Sequence, residues 1–126
     1  MNSQPASISH ISWGRMEVSI GDQKLLFKDC KVWPEGAKEW DWNITDTHHR
    51  PGIQPADILE ILDQKVDIMI LSRGMDLMLH TCRETEELLN SLKIKFRIEE
   101  TKKAVALFNE LTGQGNRVGG IFHSTC

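Results

Sequence analysis

The side chains best placed to bind a ligand follow an apolar run in the middle of the chain. The run is Val66-Asp67-Ile68-Met69-Ile70-Leu71, and it leads directly into Ser72-Arg73-Gly74. A run of this length without breakers is typical of a strand buried on both faces of a sheet. Ligands of open α/β sheets bind beyond the carboxyl ends of such strands. Arg73 and Gly74 are therefore candidate ligand residues.

The spacing of the residues around Arg73 limits its chemistry. The loop lacks the glycine pattern of a dinucleotide fingerprint and the Gly-Lys-Ser/Thr ending of a Walker motif. Arg73 can therefore either bind an anion at the end of the sheet or form a structural ion pair. Asp41 and Asp76 are the carboxylates considered for that pair.

Histidines suggest metal or acid–base chemistry at two places. His48 and His49 are adjacent in a polar stretch, where neighbouring side chains rarely point at one ion, and no second cluster completes a zinc set. His80 and Cys82 are two residues apart, which does not suit one face of a helix. We therefore expect no metal site and no cofactor.

Two segments contain potential nucleophiles. Cys30 follows Asp29 in a strand-like context, which is typical of a buried, inert thiol. The run His123-Ser124-Thr125-Cys126 combines a base with three possible nucleophiles. Sequence neighbours seldom form a catalytic pair, so we expect no catalytic constellation and no enzyme, with a reactive Cys126 thiol as the alternative.

Tryptophan is concentrated in the first third of the chain, at positions 13, 33, 40 and 42. Large aromatic side chains normally fill a core, whereas an exposed tryptophan would mark a partner surface. The candidate ligand or partner surface therefore consists of Trp40, Asp41, Trp42, His48, Arg73 and Gly74.

Short alternating segments predict an antiparallel β unit before residue 45. The expected strands are 8–13, 16–20, 24–28, 30–33 and 39–44, with a hairpin turn at Gly21-Asp22. In the last of these strands Trp40, Trp42 and Ile44 would share one face, on the inner side of the unit.

The second half predicts helices that alternate with strands. A helix begins near Pro55, Thr81 and Thr101 cap two more, and strands are expected at 66–71, 95–98 and 117–123. Such alternation predicts parallel strands with right-handed crossovers. Gly119-Gly120 indicates a bulge or a close backbone approach. The fold class is thus α/β, with the antiparallel unit packed on a small, mainly parallel βαβ sheet.

Composition restricts the class of protein further. The 126 residues suit a single domain over 8–126 after a disordered segment 1–7, and the net charge of -3 argues against nucleic-acid binding. The alternating Lys93–Arg97 segment is typical of a charged edge strand. No apolar run suits a membrane helix, residues 1–9 do not have the pattern expected of a presequence, and the three cysteines favour a reducing compartment. We expect a cytoplasmic protein that binds a protein partner, of undetermined oligomeric state.

Several strings together resemble one known family. They are Ser12-Trp13-Gly14, Lys28–Pro34, Trp40-Asp41-Trp42, Pro51–Asp57, Arg73-Gly74-Met75 and Arg117–Cys126. In this order they are similar to the Mth-938-like domain family, including its adipogenesis-associated members. Ser72 and the stretch Leu79–Cys82 depart from the family pattern.

The resemblance implies a layered α/β domain, a cytoplasmic location and a regulatory role linked to preadipocyte differentiation. It implies no catalytic residue. The alternatives are an enzyme or small-ligand binder with a pocket at the loop after the central strand, and an assembly factor for a respiratory complex, the role of a mitochondrial relative.

Overall fold

A computed structural model describes residues 4–126 and contains an α/β domain with two sheets. The strands and helices of the described residues are β1 (Ser7–Ser12), β2 (Arg15–Ile20), β3 (Gln23–Phe27), β4 (Asp29–Trp33), β5 (Gly36–Glu39), α1 (Trp42–Thr45), α2 (Pro55–Leu62), β6 (Ile68–Ser72), α3 (Arg83–Ser91), β7 (Lys95–Glu99), α4 (Thr101–Gly113) and β8 (Val118–His123). Of the predicted disordered segment, residues 1–3 lie outside the described residues, whereas Ala6 is fully buried and Ser7 opens β1.

The smaller sheet is an antiparallel meander of β1, β2 and β3. Strand β2 alternates, so that Met16 and Val18 face the core and their neighbours are more exposed. Asn109 of α4 joins the sheet by accepting from the Ile8 N–H at 2.8 Å and donating to the Ile8 carbonyl at 2.9 Å. The predicted antiparallel unit is confirmed for these strands.

The larger sheet is mixed and has the order β5-β4-β8-β6-β7. Strands β6, β7 and β8 are parallel, as the alternation of helices and strands predicts, and β7 lies at an edge as expected for its charged pattern. Strands β4 and β5 leave the N-terminal unit and extend this sheet, since β4 pairs antiparallel with β8. We expected the apolar run Val66–Leu71 to form the central strand of this sheet. The expectation is wrong, because β8 lies in the middle and the run forms the neighbouring strand β6.

Two hydrophobic clusters fill the domain. One includes Phe108 and Phe122 and connects α4 with the small sheet, and the other includes Ile61 and Ile121 and lies beneath α2 and α3. A Cβ atom on Gly119 would lie 2.3 Å from Ile61 Cγ2, so the predicted close approach at Gly119 is confirmed.

The strand predicted for residues 39–44 was wrong beyond Glu39. Asp41 accepts a hydrogen bond from the Asn43 N–H at 2.9 Å and caps the short helix α1, which competes locally with an extended chain. Ile44 is consequently 79% exposed rather than on the face of Trp40. Trp13 is 58% exposed, so this tryptophan does not fill the core.

Two predicted helix caps were wrong. Cys82 rather than Thr81 is the N-cap of α3, and Glu100 rather than Thr101 caps α4, because its carboxylate accepts from two N–H groups of the first turn. Thr101 instead donates to the His123 carbonyl at 2.7 Å. None of the helices in residues 4–126 has the length and apolar character needed to cross a bilayer.

Candidate functional site

A cavity of about 630 Å³ opens at the end of the large sheet where β8 terminates. This is the carboxyl edge of the parallel strands, where α/β proteins usually bind ligands. Its lining comes from the ends of β4, β5 and β8, from α1 and from the loop before α2, and consists of Lys28, Asp29, Glu39, Trp40, Asp41, Trp42, Asn43, His49, His123, Thr125 and Cys126.

The floor of the cavity holds an aligned carboxylate, imidazole and hydroxyl. The register of β4 against β8 places Asp29 directly opposite His123. The Nδ1 atom of His123 lies 3.0 Å from Asp29 Oδ1, and its Nε2 atom lies 3.2 Å from Thr125 Oγ1. Asp29 also accepts from the Ser124 N–H at 3.0 Å. Because Asp29 faces Nδ1, the imidazole ring of His123 is fixed with Nε2 toward Thr125.

A thiol and a second imidazole meet beside this group. Cys126 Sγ lies 3.4 Å from His49 Nε2. His49, His123 and Cys126 each contribute one potential ligand atom, and these atoms all lie within 4.8 Å of one another. Desolvation lowers the pKa of His49, and the nearby His123 lowers that pKa further. Both effects favour the neutral imidazole of His49 over the charged form.

Aromatic rings form the back wall of the cavity. The Trp42 ring centroid lies 4.6 Å from that of His123 and 5.0 Å from those of His49 and Trp40. Trp40 is buried and its Nε1 donates to Asp57 Oδ1 at 3.1 Å. The Trp42 Nε1 atom has no hydrogen-bond partner within residues 4–126.

Asp57 holds the segment that carries His49. This fully buried carboxylate of α2 accepts from the side chains of Trp40, Thr45 and Thr47 and from the Gln54 N–H. In the last contact Asp57 caps the first turn of α2, while the Gln54 side chain donates from Nε2 to the Thr45 carbonyl at 2.8 Å. Hydrogen-bond donors from both ends of this loop thus bind one carboxylate, which fixes the conformation of the loop.

The predicted site residues are only partly brought together. Trp40, Asp41 and Trp42 line the cavity, whereas His48 is exposed and pairs with Asp46 at 3.0 Å. Arg73 pairs with neither predicted aspartate, since its Nη2 donates to the Leu77 carbonyl at 3.1 Å.

The loop after β6 is hydrogen-bonded to the residues that follow β8. The Met75 N–H donates to the Thr125 carbonyl at 2.6 Å, and the Met78 N–H donates to the Cys126 carbonyl at 2.9 Å. Gly74 lies directly beneath Cys126. Arg73 and Gly74 therefore do not line the cavity next to β8, whereas Met75 and Asp76 of the same loop line a separate cavity of about 530 Å³.

Sequence reasoning passed over the residues at the centre of the cavity. Asp29, His49, His123, Thr125 and Cys126 share no recognised spacing, so the sequence does not predict a common site for them, and Cys126 is predicted only as an alternative reactive thiol. The only available signal was the run from His123 to Cys126, in which a base precedes several nucleophiles. Its partners come from positions 29 and 49, which only the sheet register and the loop bring near.

The three cysteines should differ sharply in reactivity. Cys30 and Cys82 are buried, as predicted for Cys30, and desolvation raises the pKa of both thiols. Cys126 is partly exposed on the cavity. We expect a water-soluble aromatic disulfide to label Cys126 rapidly in the native protein and the other two only after unfolding. Mass spectrometry of peptides from native protein checks this, and rapid labelling of Cys30 would contradict it.

Comparisons with known proteins identify the fold and a family. A conserved hypothetical protein from Pyrococcus horikoshii is 23% identical, with a TM-score of 0.76 over 95% of this chain and 99% of that chain. A structure described as an outer membrane protein from Bartonella henselae is 20% identical, with a TM-score of 0.75 and 98% of each chain covered. A Bordetella pertussis protein described as a Mth938-like domain is 17% identical, with a TM-score of 0.59 over 94% of this chain and 85% of that chain.

These identities show a common fold and nothing about activity. The family model "Protein of unknown function (DUF498/DUF598)" matches residues 8–123, which is most of the chain. The chain therefore belongs to the DUF498/DUF598 family, and its fold is that of the Mth938-like domain.

Proposed function

We propose that this protein is a non-enzymatic binding protein whose cavity receives a positively charged group of a protein partner. The observation that carries the proposal is the pair of exposed carboxylates, Glu39 and Asp41, beside the Trp42 ring. Within residues 4–126 neither carboxylate forms an ion pair, and Asp41 is engaged only as the cap of α1.

The chemistry of this rim suits a lysine or arginine side chain. An indole ring attracts a cation over its face, and nearby carboxylates add Coulomb attraction that is strongest where water is partly excluded. Lys28 is the cationic side chain of the lining, so the rim sets two carboxylates against one ammonium group. The cavity volume of about 630 Å³ is ample for one side chain and part of its backbone.

We also propose that the protein acts in the cytoplasm, in a regulatory role linked to preadipocyte differentiation. The support is the resemblance of several strings, among them the ending Arg117–Cys126, to adipogenesis-associated members of the Mth-938-like domain family. Trp40-Asp41-Trp42 belongs to the same strings and lines the cavity, so the resemblance and the rim concern one surface.

The test compares two small probes that differ in charge alone. Acetyl-arginine amide should shift the amide and indole NMR signals around Trp42, whereas its neutral isostere acetyl-citrulline amide should not. In the double variant E39Q/D41N the arginine probe should bind about tenfold more weakly, since each exposed carboxylate supplies up to about 1 kcal/mol. Asn remains a good N-cap, so α1 is retained in this variant.

The control variant D63N/E110Q removes the same charge from exposed sites away from the cavity and should bind the probe normally. Equal binding of the arginine and citrulline probes would overturn the proposal. The regulatory role is tested separately, by expressing E39Q/D41N and D63N/E110Q in preadipocytes whose own protein is depleted. Equal rescue of differentiation by both variants would contradict a role for this rim.

A second candidate function is favoured by the alignment of Asp29, His123 and Thr125. Acyl transfer would begin when Thr125 Oγ1 attacks an ester carbonyl while its proton passes to His123 Nε2, which then protonates the departing alcohol. Water would next cleave the acyl-threonine, with His123 again accepting and returning the proton. Hydrolysis of p-nitrophenyl acetate above the rate of T125V would support this function, and equal rates would exclude Thr125 as the nucleophile.

A further inference from the structure

We propose that His49, His123 and Cys126 form a binding site for Zn²⁺ that is open toward the cavity. The proposal goes beyond the function proposed above and uses different side chains from those of the cationic-group site. It rests on geometry that the fold imposes from three separate places: the loop before α2, the end of β8 and the residues after β8.

The spacing of the ligand atoms is close to that of a tetrahedral metal site. Zn–S and Zn–N bonds of about 2.3 and 2.05 Å at a tetrahedral angle place sulfur and nitrogen about 3.6 Å apart. The observed separation of Cys126 Sγ and His49 Nε2 is 3.4 Å. All three ligand atoms lie within 4.8 Å of one another, so shifts of about 1 Å in the side-chain positions would bring them to tetrahedral spacing.

Asp29 provides the support that metal-binding histidines usually have. A histidine that binds a metal through one nitrogen donates its other N–H to a carboxylate or carbonyl, which fixes the tautomer and the ring. Asp29 lies 3.0 Å from His123 Nδ1 and is itself held by the Ser124 N–H, which leaves Nε2 for the metal. The carboxylate is buried, so its orientation is rigid.

The donor types select zinc over the harder cations. One thiolate and two imidazoles suit Zn²⁺, whereas Mg²⁺ and Ca²⁺ prefer oxygen donors. Binding converts the Cys126 thiol to a thiolate and releases its proton to the buffer. The Asp29 carboxylate behind His123 then balances the single positive charge left by Zn²⁺ and the thiolate.

Three protein ligands leave a fourth coordination position. Thr125 Oγ1 lies beside His123 Nε2, and the cavity opens to solvent, so either this hydroxyl or a water can take the position. This is the arrangement of zinc sites that exchange ligands rather than of closed structural sites. Trp42 packs against both imidazoles and limits their motion.

The test is a titration of the reduced full chain with Co²⁺ and then Zn²⁺. We expect one equivalent of Co²⁺ to give the visible absorption of tetrahedral cobalt with a thiolate charge-transfer band, and Zn²⁺ to displace it. Zn²⁺ should also protect Cys126 from the aromatic disulfide. Mg²⁺ should do neither.

The variants H49N and C126S change side chains that are only partly buried, so both should fold. Each should weaken Zn²⁺ binding at least as much as the positioning variant D29N, for which we expect a loss of about 10–100-fold. The variant E39Q/D41N should retain zinc, so failure of the cationic-group site and failure of the metal site are distinguishable. Zinc binding that is unchanged in both H49N and C126S would assign the metal to surface histidines such as His10 and overturn the proposal.

Discussion

Replacing Asp57 by Ala is expected to lower the free energy of unfolding by about 3–5 kcal/mol, because it removes one partner of a buried polar network. The carboxylate is fully buried and receives four hydrogen bonds, from Trp40 Nε1, Thr45, Thr47 and the Gln54 N–H. The truncation would leave several donors without an acceptor, each at a cost of about 1–3 kcal/mol where water cannot enter. The favourable position of a carboxylate in the first turn of α2 would also be lost.

Urea denaturation followed by tryptophan fluorescence measures this effect. The milder variant D57N keeps the shape of the side chain but has only one acceptor oxygen, because the other oxygen is replaced by an amide NH₂ group. We therefore expect it to lose about half as much stability as D57A. Asp63 lies at the other end of α2 and is exposed, which makes D63A the matched control with a change within about 0.5 kcal/mol. A D57A variant no less stable than D63A would contradict the role assigned to the network.

The same network explains why the cavity depends on residues that do not line it. Asp57 is not part of the lining, yet it binds Trp40 on one side and the threonines of the loop on the other. His49 lies two residues after Thr47 in that loop, and its ring must stay near Cys126 for the proposed zinc site. We therefore expect D57A to weaken zinc binding as well as stability.

Much of the fold follows from sequence periodicity. The apolar stripe of α4, the run that forms β6 and the alternation in β2 each specify one element and the face it buries. The α/β class is confirmed for that reason, since alternating helices and strands leave few topologies.

The pairing of β4 was harder to predict, because its residues suit either sheet. Strand β4 is almost wholly buried and inserts between β5 and β8, although its sequence neighbours β1–β3 form a separate sheet. No local pattern encodes that choice. The error at Trp40–Ile44 has another cause, since a single hydrogen bond to Asp41 sufficed to begin a helix where the alternation predicted a strand.

The sheet edge that holds the cavity and part of its lining, Trp40, Asp41 and Trp42, could be predicted from the sequence, but the other lining residues could not. The rule that ligands bind at carboxyl strand ends led to Arg73 and Gly74 after β6, and the cavity lies one strand away, after β8. Asp29 and His123 are far apart in sequence and meet only through strand register. Known metal and catalytic motifs describe side chains that lie on one element of secondary structure. They therefore cannot identify a site whose residues come from three separate segments.

Substitution of Gly74 is expected to have the second large effect on stability, because residues 125 and 126 cross the loop after β6 at this glycine. We expect G74A to lose about 2–4 kcal/mol of stability, from a strained backbone and from steric overlap. Its φ is +81°, and an added Cβ would lie 2.3 Å from the Cys126 carbonyl oxygen and 3.1 Å from His123 Cδ2. The residues after β8 would have to move, which breaks the bonds from Met75 and Met78 to the carbonyls of Thr125 and Cys126.

Gly115 separates the two causes, since its φ is +94° but a Cβ there would have no neighbour within 4 Å. The control variant G115A should therefore lose only the backbone strain of about 1–2 kcal/mol. Displacement of Cys126 away from His49 adds a local readout: G74A should accelerate labelling of the Cys126 thiol and weaken zinc binding, whereas G115A should change neither. Equal stability and equal Cys126 labelling in the two variants would show that the C-terminal residues are not held by Gly74. Gly74 is thus expected to affect the cavity because it leaves room for Cys126 to pack against it, and not because it binds a ligand.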